Sequence, residues 1–196
     1  HMRVLVLGSG QGSNAKAILE AQNNLLLGNA QVVGIISNIP SAGIIDIAEE
    51  YSVPTALISC SKETGKLEIN ETEDLTQKIK MFSPDLIVLA GFMKIIPSDL
   101  IDIFPNKIIN LHPSLLPSFK GLNAIERAFN YGVKISGCTV HCVNAGIDDG
   151  PIIAQAPVRR MDTDTLEIYT QKIHAAEHVV LPLTIANLSM NPNYQC

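Results

Sequence analysis

Apolar runs rich in Val, Ile and Leu recur along this chain with helix-patterned segments between them, and that alternation restricts the fold more than any other feature. The runs RVLVLG, VVGIIS, TALIS, LIVLAG and KIINL are nearly continuous in branched aliphatic residues, the pattern of strands buried on both faces. Helical patterns fall between them at Ser13 to Leu27, Ala42 to Tyr51, Glu71 to Phe82 and Asn123 to Tyr131. Strand and helix in turn imply a mostly parallel, Rossmann-like twisted sheet with helices on both faces. The order changes after residue 134. ISGCTVHCV and PIIAQAPV are two strand-like runs joined by the turn-rich NAGIDDG, which suits an antiparallel hairpin near the C-terminal part. A final helix is expected from near Thr163 towards Pro182, covering the sheet.

Residues 1–196 read as one α/β domain, with His1 and Met2 an expression scar. No apolar run is long enough to cross a bilayer and no signal-peptide pattern opens the sequence. A formal net charge of −5 argues against a broad nucleic-acid surface, though not against a local anion pocket. The four cysteines, Cys60, Cys138, Cys142 and Cys196, contain no Cys-x-x-Cys pair. Cys138 and Cys142 share one face of their strand. Reduced thiols in a cytoplasmic protein are the expectation, ahead of a disulfide or a zinc site.

The first strand runs into GSGQGSN, placing Gly8, Gly10 and Gly12 before a helix. Glycines let a backbone approach an anion, and the helix start offers free N–H groups; Ser13 and Asn14 add donors or a cap. The dinucleotide signature needs a glycine where this chain has Ser13, and an acidic residue after the second strand, where IISNIPS stands. A monophosphate fits better. A tight turn capped by Ser13 is the plainer alternative.

INLHPSLLP carries the second signal. Asn110 and His112 are two apart on a strand and point the same way. Pro113 ends the strand, leaving His112 at its carboxyl end, where open α/β sheets bind ligands. An imidazole there can move protons, and a carboxamide can donate to an oxyanion. That is the polar half of an acyl-transfer site without a Ser or Cys nucleophile, so the substrate would bring its own amine. Asp148 and Asp149, at the hairpin mouth, both offer a carboxylate to orient His112. Read alone, the pair favours a plainer role, His112 satisfying a strand-end backbone group and Asn110 closing a turn, and the nearby carboxylate shifts that balance; His141, within an alternating strand, reads as a packed histidine.

HAAEH, His174 to His178, matches a zinc-peptidase pattern. No Asp, Glu or His follows it to supply a third ligand, so a metalloprotease is rejected and no metal is expected. Glu177 and His178 remain candidates for ligand contacts or helix-face hydrogen bonds.

GSGQGSN, VLAGFMKI, INLHPSLLP, the TVHCV to DDGPI stretch and AEHVVLPL, in that order, closely resemble the glycinamide ribonucleotide branch of the folate-dependent formyltransferase family. The resemblance covers nearly the whole chain. It implies transfer of a formyl group from 10-formyltetrahydrofolate, as co-substrate, to the amine of glycinamide ribonucleotide in purine biosynthesis. Asn110, His112 and Asp148 match the family's catalytic trio, Asp148 being preferred over Asp149 for its position three before Pro151. Gly12, Ser13 and Asn14 match the phosphate loop, and Pro113, Gly121 and Glu177 the remaining ribonucleotide contacts. Met93, Lys94, Ile95 and Ile96 match the folate pocket, with Val143 opposite. Lys94 stands where relatives often carry arginine, Lys66 near a missing arginine, and His174 where some place a lysine. The resemblance implies a cytoplasmic monomer or homodimer with no nucleic-acid or membrane partner.

Overall fold

Alternate residues of the first strand face two different cores, and this alternation sets the layers of the molecule. In the computed structural model, which describes residues 1–191 and 193–196, β1 (Met2–Leu7) leads into α1 (Ser13–Asn23), β2 (Ala30–Ser37), α2 (Gly43–Glu50) and β3 (Thr55–Leu57). Then come β4 (Gly65–Lys66), α3 (Ile69–Phe82), β5 (Leu86–Leu89), β6 (Lys94–Ile95) and α4 (Ser98–Ile103). The chain continues through β7 (Ile108–His112), α5 (Ala124–Tyr131), β8 (Ile135–Cys142), β9 (Ile152–Arg159) and α6 (Leu166–Ser189).

The main sheet has the order β3-β2-β1-β5-β7-β8-β9. Pairs from β3 to β7 are parallel, and β8 and β9 are antiparallel to their neighbours. Val4 and Val6 of β1 pack with residues of α1, α2 and α6, including Ile18, Ile44, Leu181 and Ile185. Leu5 and Leu7 pack on the opposite side with Leu75 and Ile79 of α3 and Leu100 of α4. Removing such fully buried side chains from water contributes about 1.5–3 kcal/mol each.

The same alternation orients β7. Ile109 and Leu111 enter the α1/α2/α6 core, while Ile108 joins the α3/α4 core, so Asn110 and His112 share the face of Ile108. Strands β2 and β5 flank β1, so the connections leave β1 in both directions across the sheet. The crevice outside the carboxyl ends of β1 and β5 is where such sheets take ligands. The Gly8–Gly12 loop lies there.

Some boundaries differ from expectation. Helix α1 stops at Asn23, not Leu27, because Leu25 takes a positive φ of 60° and the chain turns. The run TALIS forms only three strand residues at the sheet edge, with Thr55 and Leu57 exposed rather than buried on both faces. Helix α6 passes through Pro182 to Ser189. The proline removes one N–H from the ladder, but Leu181, Ile185 and Leu188 on the buried face hold the second half in place. Short α4 was not anticipated, having room for one buried anchor, Leu100.

The thiol expectation is corrected. Cys142 and Cys196 form a disulfide across a sequence separation of 54, with Cα atoms 5.5 Å apart, while Cys60 and Cys138 stay free. After α6 the chain turns back so that Tyr194 and Cys196 pack against the α1/α2/α6 core. That return brings Cys196 to the face of β8 shared by Cys138 and Cys142. Among the described residues, no helix is long and apolar enough to cross a membrane.

Candidate active site

Three segments converge on His112. The strand end supplies Asn110 and His112, the loop after it supplies Phe119 to Gly121, and the loop after β8 supplies Asp148. His112 is 6% exposed. Its Nε2 lies 2.8 Å from the Phe119 carbonyl oxygen, and a carbonyl only accepts, so Nε2 carries a proton. Nδ1 faces Oδ2 of Asp148 at 3.4 Å. The same Oδ2 accepts from the Gly121 backbone N–H at 2.8 Å. Asp148 reaches inward from a left-handed backbone conformation, φ 49°, and Gly121 sits at φ 84°; the aspartate is among the residues that tolerate this region and glycine adopts it freely.

Asp149 points elsewhere. It bonds Lys120 Nζ at 2.8 Å, with its side chain 62% exposed, and the lysine holds its carboxyl below the usual range. The two neighbouring aspartates thus clasp the Phe119–Gly121 loop from two sides. Arg127 stiffens that loop further by donating to the carbonyls of Leu122 and Lys120. Ser114 Oγ donates to the Ser118 carbonyl at 2.6 Å, and Thr139 Oγ1 donates to Ser114 while receiving from Leu116 N–H. Pro113 is half-buried at the root of this loop.

His141, read from sequence as a packed histidine, is buried and also belongs to the site. It lies opposite Asn110 in the β7–β8 pair, with Nε2 3.3 Å from Asn110 Nδ2 and 3.7 Å from Asp148 Oδ1. Sequence could not place it, since its partner depends on strand register. Burial holds its imidazole below the ordinary range, against the opposing pull of the Cys142 carbonyl and Asp148.

The glycine loop occupies the other end of the crevice. Gly12 caps α1 at φ 84°, and a Cβ there would stand 2.7 Å from the Ile44 Cα. Ser13 is exposed, and Asn14 Oδ1 is buried without a hydrogen-bond partner among the described residues. A cavity of about 580 Å³ between α1 and α6 is lined by Ser13, Lys16 and His178, among others; Asn110, His112 and Asp148 do not line it. On α6, Glu177 is 4% exposed and bonds His174 Nδ1 at 2.5 Å, which raises the His174 pKa. His178 Nε2 is buried without a hydrogen-bond partner among the described residues. HAAEH therefore contributes one internal His–Glu pair and one ring nitrogen that has no partner among the described residues.

The segment from Met93 to Ile96 alternates. Met93 and Ile95 are about half exposed, while Lys94 and Ile96 are buried. Lys94 turns its ammonium to the carbonyls of Lys62 and Thr64, at 3.0 Å each, so towards a ligand it offers backbone rather than charge. Exposed Lys66 pairs in register with Ile95 in the small β4–β6 sheet. Val143, half-buried, packs on the α3/α4 core and is bonded to β7 through Ile108. Ser9, which sequence reading passed over, joins the glycine loop to this segment: it accepts from Met93 N–H at 2.9 Å and donates to Asn38 Oδ1.

The arrangement thus offers a carboxamide donor, an imidazole beside a carboxylate, a glycine loop at a helix start, and a flanking apolar segment. Among the described residues, no cluster of three or more His, Cys, Asp or Glu side chains is placed to hold a metal ion.

Residues 2–185 match the family described as formyl transferase. The chain is 37% identical over 186 residues to the phosphoribosylglycinamide formyltransferase of Bacillus subtilis, covering 93% of this chain and 92% of that one. It is 40% identical over 187 residues to the trifunctional purine biosynthetic protein adenosine-3 of Drosophila melanogaster, covering 95% of this chain but 14% of that protein. The crystal structure of phosphoribosylglycinamide formyltransferase from Anaplasma phagocytophilum superposes with a TM-score of 0.90 at 40% identity, over 100% of this chain and 91% of that one.

Proposed function

Because the chain belongs to the formyl transferase family, we propose that it transfers a formyl group from 10-formyltetrahydrofolate to the amine of glycinamide ribonucleotide, a step of purine biosynthesis. The observation that carries this reading is the convergence of Asn110, His112 and Asp148 at one strand end, in a chain similar along nearly its full length to phosphoribosylglycinamide formyltransferases.

The chemistry needs no protein nucleophile, because the ribonucleotide supplies an amine. That amine attacks the formyl carbon and the carbonyl oxygen becomes an oxyanion. Asn110 donates from its carboxamide, and His112 donates from a ring N–H, to stabilise that charge. Both nitrogens of His112 already have protein partners, so the ring must share or release the Phe119 carbonyl when the substrate oxygen arrives. Asp148 faces the other ring nitrogen of His112 and orients the imidazole. As the intermediate collapses, the C–N bond to the folate breaks and the folate nitrogen takes a proton, while the former amine loses one. Asp148 and His112 are the groups placed to move it.

Gly12, Ser13 and Asn14 form the phosphate end of the proposed ribonucleotide site, where backbone N–H groups and the α1 start favour an anion. Pro113, Gly121 and Glu177 are its other proposed contacts. Met93, Ile95 and Val143, with the backbone of Lys94 and Ile96, form the proposed pteridine side. We take residues 1–196 as one formyltransferase domain working in the cytoplasm, as monomer or homodimer, with small-molecule partners only.

The test is folate absorbance during incubation with 10-formyltetrahydrofolate, with and without glycinamide ribonucleotide, for the native chain and His112→Ala. Turnover that requires the ribonucleotide and falls by about 10² or more in the variant supports the reading. Folate release without ribonucleotide would indicate a hydrolase instead, and a variant as fast as the native chain would remove His112 from the mechanism.

A further inference from the structure

The β7–β8 register sets His141 against Asn110, and the hydrogen bonds around that histidine determine which of its nitrogens carries the proton. Nδ1 lies 3.0 Å from the Cys142 carbonyl oxygen. A carbonyl has no proton to give, so Nδ1 is the N–H. The ring is 3% exposed, and its burial favours the neutral form. A neutral ring with its proton on Nδ1 has only a lone pair at Nε2. The atom 3.3 Å away is Nδ2 of Asn110, which must then be the donor. Asp148 Oδ1, at 3.7 Å, is too far to compete as a hydrogen-bond partner and has no proton to offer as a carboxylate.

The consequence falls on Asn110. A carboxamide can turn by 180° and exchange its oxygen for its nitrogen, which would present an acceptor where the transfer needs a donor. Turning Asn110 here would set Oδ1 against the lone pair of His141 and leave two acceptors facing in a buried place, a costly arrangement. One N–H of Asn110 is spent on His141, and the second has no partner among the described residues.

Resting on the transfer reading above, we propose that His141 is a positioning residue: held as the Nδ1–H tautomer by the Cys142 carbonyl, it fixes the Asn110 carboxamide so that its remaining N–H serves the developing oxyanion. His141 does not touch the reacting atoms. It acts through Asn110, and its effect belongs to kcat, since the oxyanion exists only on the way to product.

The experiment compares the native chain with His141→Phe, which keeps a ring but has no acceptor, and His141→Gln, whose side-chain oxygen can accept from Asn110. Steady-state kinetics and thermal midpoints are measured for all three, with ring ¹⁵N signals recorded on histidine-labelled native and His141→Gln protein. We expect His141→Phe to lower kcat about tenfold, short of the roughly 10²–10³ for deleting an oxyanion donor outright. Both KM values should stay within about twofold, and His141→Gln should recover most of the loss. The ¹⁵N signal that disappears in His141→Gln should be that of an Nδ1–H tautomer. An unchanged kcat in His141→Phe, a loss confined to KM, no recovery in His141→Gln, or an Nε2–H tautomer each overturns the proposal. Absence of ribonucleotide-dependent transfer by the native chain would overturn the transfer reading instead, while the tautomer would still be decided by the ¹⁵N signals, which also decide if His141→Phe fails to fold.

Discussion

Nδ1 of His112 lies 3.4 Å from Oδ2 of Asp148, while the adjacent Asp149 turns outward to Lys120. Two carboxylates one residue apart therefore have different work, and substitution should separate them. Asp148→Asn keeps a side chain that tolerates the left-handed φ of 49°, and it can still accept from Gly121 N–H. What it loses is the charge beside the imidazole. The expected result is a fall in kcat of about 10²-fold with little change in thermal midpoint. Asp149→Asn breaks only an exposed ion pair that solvent screens, and turnover should stay close to native. Steady-state kinetics with melting curves on both variants checks this; equal losses would mean that the loop clasp, not the His112–Asp148 pair, sets the rate.

Legibility in the sequence follows how local each signal is. Asn110 and His112 can be read from INLHP because a two-residue strand period and a stopping proline are local facts. The choice between Asp148 and Asp149 is not local, since both lie in one turn and only the backbone path decides which turns inward. His141 was harder still, because its meaning lies in a neighbour on another strand, set by register. The parallel core was visible in runs such as LIVL, yet TALIS looked equally buried and lies at the sheet edge, since composition does not say which strand is last. Cys196 gave no sign of its partner, because 54 residues and a returning tail separate it from Cys142.

Gly12 and Gly10 should respond differently to alanine. At Gly12 the φ of 84° disfavours any side chain, and the new Cβ would meet the Ile44 backbone at 2.7 Å. The left-handed conformation alone costs about 1–2 kcal/mol, and α2 must also shift. Gly10 has no atom within 4 Å of an added Cβ, so Gly10→Ala should stay within about 0.5 kcal/mol of native. Urea unfolding of the two variants tests the contrast. If the loop holds the ribonucleotide phosphate, Gly12→Ala should also raise KM for the ribonucleotide more than KM for the folate.

The His174–Glu177 pair predicts a pH-dependent share of stability. The His174 pKa is raised above its ordinary value of 6.5, first by the hydrogen bond to Glu177 and then by its charge, with burial opposing. The charged ring is thus favoured in the folded state. Its stabilisation is fully present below the unfolded value and is lost as pH rises through the higher folded value. The amplitude is small, because the His174 side chain is 48% exposed and solvent screens the pair. Urea midpoints of the native chain and His174→Gln should differ most on the acid side of pH 6.5 and converge on the alkaline side. A gap that widened with rising pH would contradict the pairing.

The Cys142–Cys196 bond can be tested by counting thiols and by unfolding. Alkylation of denatured, unreduced chain should label two cysteines, Cys60 and Cys138, and prior reduction should expose four. Native labelling of Cys138 should be slow, since burial and the nearby Glu177 push its pKa up to about 11. A cross-link spanning 54 residues restricts the unfolded chain by about 4 kcal/mol in the loop-entropy account. Cys196→Ser should therefore match the reduced native chain in urea midpoint and be insensitive to reductant. Activity should respond much less than stability. Cys142 keeps its backbone place without the cross-link, because its N–H is held by Pro151 at 2.9 Å and its strand is paired on both sides. The carbonyl that orients His141 is thus fixed by the sheet rather than by the disulfide. A large fall in kcat on reduction would reverse that assignment and make the returning tail the support on which the site depends.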